Sequence, residues 1–135
     1  MINLLMFDLD GTIFDTAPSI ANAFNKMLIE RGEAPVSFDL VTSHIGYGMK
    51  DLLAKMDQSL AHRLGDHAQL EIDFTRHYRQ NFVSEAKIFP GLIDFLNQWQ
   101  GQLAIVSNKP EYYVRELIAQ TILKQYRWSA VLGGD

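Results

Sequence analysis

The chain has no cysteine among its 135 residues. That excludes a disulfide framework and a thiolate metal site, and it suits a reducing compartment, with the cytoplasm as the expected location. Basic charge is also scarce: 12 lysines and arginines against 16 aspartates and glutamates give a formal net charge of -4. No broad field for binding nucleic acid follows from that balance. No apolar run is long enough to span a bilayer, and no basic leader precedes the first apolar residues, so no membrane role is expected. What the chain does have is apolar content, 47% of its residues, which argues for a folded chain with a single buried core.

The most informative segment is Phe7-Asp8-Leu9-Asp10-Gly11-Thr12, after the apolar stretch from Ile2 to Phe7. It puts two carboxylates at alternate positions where a buried strand runs into a glycine turn, the usual place for chemistry in an open α/β sheet. Like charges that close need a cation or a shared proton. Mg²⁺ is the best match, because it takes hard oxygen ligands and is commonly held by one or two carboxylates together with substrate phosphate. Asp and Gly also end strands with no chemistry attached, and that reading stays open at this point.

A second segment lies far along the chain. Leu103-Ala104-Ile105-Val106 reads as a buried strand, and Ser107-Asn108-Lys109-Pro110 leads into a helix carrying Tyr113, Val114, Leu117 and Ile118. If the two strands are parallel neighbours, Ser107 and Asn108 lie near Asp8 and Asp10. There Ser107 could donate to a phosphoryl oxygen and Asn108 could orient a substrate; the alternative is a plain helix cap.

Together, Asp8-Leu9-Asp10-Gly11-Thr12-Ile13-Phe14-Asp15, a long insertion, Phe89-Pro90-Gly91 and Val106-Ser107-Asn108-Lys109-Pro110 resemble the haloacid dehalogenase-like hydrolases, and most closely their phosphoglycolate phosphatase branch. The resemblance implies an α/β, Rossmann-like core with parallel strands, interrupted by an all-helical cap. It implies that Asp8 attacks phosphorus to form an aspartyl-phosphate, and that Asp10 protonates the leaving oxygen and then activates water. It assigns Mg²⁺ to the Asp8 carboxylate and the Asp10 backbone carbonyl, and the phosphoryl oxygens to Ser107 and the backbone around Leu9 and Asn108. An acid at Asp10 marks a phosphatase rather than a dehalogenase. The implied substrate is a small phosphorylated metabolite such as 2-phosphoglycolate.

The sequence also departs from the family. A lysine beyond a Gly-Gly-Asp-like loop, and a further strand ending in metal-site acids, have no counterpart after Gly133-Gly134-Asp135. Lys109 belongs to the Ser-Asn-Lys-Pro run and Lys124 reads as a surface charge, so neither replaces that lysine, and Asp135 does not replace the acid. In the family order of three, two, one, four, five, the Asp8 strand becomes an exposed apolar edge, which proteins normally cover. The chain is read as an incomplete core, its edge covered by a second copy, a separate polypeptide or the remainder of a longer protein. Two functions follow as expectations: a Mg²⁺-dependent phosphomonoesterase that is incomplete in this exact chain, or a noncatalytic interaction module that keeps a phosphate-binding half-site.

The organisation expected is core from 1–14 and 87–135, with a helical cap over 15–86. Ile20, Ala23, Phe24, Met27 and Leu28 recur at helical spacing, with Glu33-Ala34-Pro35 ending that helix. Leu52, Leu53 and Met56 mark a second helix, and Ala68 to Phe82 a third, with Leu70, Ile72, Phe74 and Tyr78 as packing residues. Asp15 is expected either to cap the first helix or to face the active-site mouth. His44, Gly46, Tyr47 and Lys50 resemble the cap loop that reaches over substrate in relatives; an ordinary interhelical turn is the alternative. His62, His67 and His77 have no cysteine partners and read as cap or surface residues.

Overall fold

The structure, a computed structural model, describes residues 1–135. The chain divides into two units, residues 1–15 with 86–135, and residues 16–85.

The first unit is built on a parallel three-stranded sheet. Its strands are β1 (Leu4–Phe7), β4 (Gln102–Val106) and β5 (Trp128–Leu132), in the order β1-β4-β5. Leu103, Ala104 and Ile105 of the central strand are all buried, the near-continuous apolar run that a doubly covered parallel strand requires. Register pairs Phe7 with Ile105, so the two strands end side by side. Phe7 meets Phe95 and Trp128 edge to face, each at 6.5 Å between centroids. The outer edge of β1 carries no strand, and Leu4 and Met6 on it are 42% and 69% exposed.

Two short strands, two helices and a 3₁₀ turn at Ile122–Gln125 complete this unit. A two-residue ribbon pairs β2 (Phe14–Asp15) antiparallel with β3 (Lys87–Ile88). Helix α5 (Leu92–Gln98) precedes β4, and α6 (Glu111–Ala119) follows it. Trp99 stacks on Phe95 at the end of α5, so it extends that helix's apolar stripe. Asp15 sits in the ribbon opposite Lys87, and the residue at the helix start is Thr16, so Asp15 does not cap the first helix.

The second unit is all-helical: α1 (Ala17–Glu30), α2 (Phe38–Thr42), α3 (Met49–Ser59) and α4 (His67–Asn81). Pro18 lies in the first turn of α1, where its missing N–H costs nothing. Ile20, Ala23, Phe24, Met27 and Leu28 are buried on α1, and α4 supplies Leu70, Phe74 and Tyr78. At roughly 1.5–3 kcal/mol for each large side chain buried, this pair of stripes holds the unit together. Ile72 is 59% exposed, because two residues along a helix turn it about 200° away from Leu70. Helix α1 ends before Glu33-Ala34-Pro35. Gly32, at φ 77°, donates to Ile29 O at 3.0 Å, and Glu33 N donates to Leu28 O at 2.9 Å. Only glycine enters that left-handed position cheaply, and the paired bonds close the helix.

The three histidines in question all meet carboxylates in this unit. Asp57, 3% exposed, accepts from Leu64 N at 2.9 Å and faces His62 Nδ1 at 3.2 Å and His67 Nε2 at 3.0 Å. Burial raises its pKa, but the bonds from His67, the Leu64 N–H and His62 together outweigh that and hold it below the ordinary value. Glu30 receives Arg76 at 2.7 Å and His77 at 2.8 Å, and these bonds, Arg76 first, bring its carboxyl from 4.5 to about 2. A carboxylate with a lowered folded pKa stabilises fully above its unfolded value and loses that as pH falls through the folded one. Glu30 therefore supports the helical unit above about pH 4.5 and ceases to do so near pH 2. Thermal melts of the wild type and Glu30→Gln should differ at neutral pH, and the gap should close as pH approaches 2. The gap is expected to be small because the pair is solvent-exposed and screened.

Candidate active site

The carboxyl ends of β1 and β4 carry the two motifs, and the parallel register sets them side by side. After β1 the chain closes on itself. Leu9, fully buried, has its carbonyl accepting from Thr12 N, Ile13 N and Phe14 N at 3.2, 2.9 and 3.1 Å. Gly11, at φ 79°, donates to Phe14 O at 2.8 Å, and the left-handed angle explains a glycine there. Burying Leu9 between them leaves Asp8 exposed and Asp10 half-buried at the sheet's end.

The loop after β4 is held more tightly. Ser107 is buried; its N–H donates to Leu132 O at 3.0 Å and its Oγ accepts from Lys109 N at 3.1 Å. Ser107 therefore shapes its own loop rather than capping α6. The α6 N-terminus is met instead by Asp135, whose Oδ1 accepts from Glu111 N at 2.7 Å. Gly134 N donates to Lys109 O at 2.9 Å, and a Cβ on Gly134 would lie 2.3 Å from Asn108 O. The segment after β5 thus packs Gly134 against the Ser107–Pro110 loop and Gly133 against Glu111 at the start of α6, too closely for any side chain.

One contact joins the two motifs. Lys109 Nζ lies 3.0 Å from Asp10 Oδ1 and 3.3 Å from Oδ2, with the side chains 6% and 15% exposed. The cation beside Asp10 is therefore an ammonium from the chain itself. Sequence reasoning passed over this residue, because a lysine two places beyond Ser107 reads as part of its run. Its signal was its position: a cation on the very loop expected to hold phosphate.

Asp8 Oδ1 accepts from Leu9 N at 2.8 Å, so the Leu9 N–H assigned to a phosphoryl oxygen is engaged here by the neighbouring carboxylate. Asn108 is exposed on the loop. His44, Gly46, Tyr47 and Lys50 belong to the helical unit, between α2 and α3. Tyr47 is 74% exposed, with the Lys55 ammonium 4.5 Å from its ring centre, and Gly46 and Gly48 have φ of 134° and 94°. His44 Nε2 lies 3.4 Å from Ser59 Oγ. No group of three or more His, Asp or Glu side chains is arranged to hold a metal ion, and no helix is long and apolar enough to cross a membrane.

Residues 5–135 match the family of haloacid dehalogenase-like hydrolases. The chain belongs to that family. Among its haloacid dehalogenase-like relatives, the phosphoglycolate phosphatase of Agrobacterium fabrum is 32% identical over 140 residues, covering 98% of this chain and 58% of that protein. The phosphoglycolate phosphatase of Pseudomonas putida is 33% identical over 144 residues, covering 98% and 50%. The crystal structure of a predicted phosphoglycolate phosphatase from Haemophilus somnus superposes with a TM-score of 0.88 at 24% identity, covering 99% and 63%. The shared fold is the Rossmann-like haloacid dehalogenase core of parallel strands interrupted by an all-helical cap. The chain spans between half and just under two thirds of the length of these proteins.

Proposed function

We propose that this chain carries the nucleophile and acid–base groups of a cytoplasmic, Mg²⁺-dependent phosphomonoester hydrolase of the phosphoglycolate phosphatase type. The observation that supports this best is the convergence of Asp8, Asp10 and the Ser107–Lys109 loop at the ends of two adjacent parallel strands, tied by the Lys109–Asp10 contact. The relatives named as phosphoglycolate phosphatases support 2-phosphoglycolate as substrate.

In this reading an Asp8 carboxylate oxygen attacks phosphorus, the ester P–O bond breaks, and Asp10 gives its proton to the departing alkoxide. Water then attacks the aspartyl-phosphate while Asp10 takes a proton from it. The P–O bond to Asp8 breaks and inorganic phosphate leaves. Ser107 and the Asn108 backbone hold the phosphoryl oxygens where charge builds. For Leu9 to contribute its N–H, the Asp8 carboxylate must first turn away from it.

The donors suit Mg²⁺, which is commonly held by one or two carboxylates with water and substrate phosphate rather than by a full protein cage. The Asp8 carboxylate and the Asp10 backbone carbonyl would hold it, the Asp10 side chain being engaged by Lys109. Bound there, the ion would neutralise phosphoryl charge. Phosphate release from 2-phosphoglycolate by this chain should require Mg²⁺ and stop on chelation. No release from folded protein with Mg²⁺ present would overturn the reading of this chain as an enzyme by itself and favour a noncatalytic module that keeps the phosphate-binding half-site.

A further inference from the structure

We propose that Lys109 is a positioning residue that fixes the orientation of the Asp10 carboxylate; this rests on the phosphatase reading above. An ammonium within 3.0 Å of one oxygen and 3.3 Å of the other leaves the carboxylate little freedom to turn about its own axis. Asp10 stands next to Gly11, which sits at φ 79° in a turn closed by Gly11 N on Phe14 O at 2.8 Å, so the orientation of its carboxylate depends on what its side chain meets.

Lys109 is suited to provide it. Its N–H is tied to Ser107 Oγ at 3.1 Å and its carbonyl to Gly134 N at 2.9 Å, so the side chain starts from a backbone held on both sides. The stem is buried, which limits the rotamers that four flexible torsions would otherwise sample. The pair spans 99 positions of sequence, so it also keeps the β1 loop and the phosphate loop in register. An arginine could keep the charge but would present a planar fork in place of a point charge.

A structural staple alone would lower all turnover together, whereas misplacing an acid harms only the bond cleavage that needs a proton. The comparison is therefore kcat/KM for 2-phosphoglycolate, an alkyl ester, against p-nitrophenyl phosphate, whose leaving group departs without protonation. Lys109→Met is expected to lose at least about tenfold more on the alkyl ester, within the range for acid–base catalysis, and Lys109→Arg to recover part of that difference. Equal losses on both esters would overturn the positioning role. A readout independent of turnover is the ammonium resonance of ¹⁵N-lysine-labelled protein. A Lys109 signal protected from solvent exchange should vanish in Lys109→Met and broaden in Asp10→Asn. A signal indifferent to Asp10→Asn would overturn the pairing, while absent turnover in a wild type with a protected signal would count against the phosphatase reading alone.

Discussion

Asp8→Asn is expected to reduce Mg²⁺-dependent phosphate release by at least about 10⁴-fold, or about 5.4 kcal/mol of transition-state stabilisation. The amide is nearly isosteric with the carboxylate, so packing is preserved. Its oxygen can still accept from Leu9 N, the bond that Asp8 Oδ1 makes at 2.8 Å. Asp8 is exposed, so the variant should melt within about 0.5 kcal/mol of the wild type. In the proposed mechanism what is lost is the anionic oxygen that would attack phosphorus, and the Asp10 carboxylate, turned to Lys109, does not replace it in kind. The measurement is phosphate release alongside a thermal melt of each protein. Turnover within tenfold of wild type, from a variant that melts normally, would remove Asp8 from the role of nucleophile.

The second large effect is on stability. Asp10→Ala removes the carboxylate 3.0 Å from the Lys109 ammonium, whose side chain is 6% exposed. Breaking a buried pair by removing one partner costs about 3–5 kcal/mol, mostly because an uncompensated charge stays behind. Lys109→Met alone should cost less, since the Asp10 side chain is 15% exposed and can turn toward water. The double variant Asp10→Ala/Lys109→Met should be more stable than Asp10→Ala alone, because it no longer buries an ammonium that has lost its Asp10 carboxylate. Urea unfolding of the four proteins gives the coupling directly. Simple additivity would mean that the two groups do not interact in solution, and the positioning role of Lys109 would fall with it.

The edge of β1 explains a property that activity measurements do not reach. Leu4 and Met6 stand exposed along a strand with no outer neighbour, the situation proteins usually blunt with charge, proline or a covering element. The sheet order makes this edge belong to the strand that leads straight into Asp8.

The amino-acid sequence by itself determined the fold class, the longer cap helices and the two loops that follow β1 and β4, but not the β2–β3 ribbon or helix α2. Alternation, helical spacing and breakers are local signals, so Leu4–Phe7, Leu103–Val106 and the stripe of Ile20, Phe24, Met27 and Leu28 were legible from neighbours alone. Local signals also misled where two fitted equally well. Asp15 looked like a cap and lies in a ribbon, and Ile72 looked like core but faces out. Only the tertiary structure decided the partners: Lys109 on Asp10, Asp135 on the start of α6, and Asp57 between His62 and His67. Side-chain pairing across long separations depends on strand register and on which way a loop turns, and neither is written in the spacing of the residues that meet.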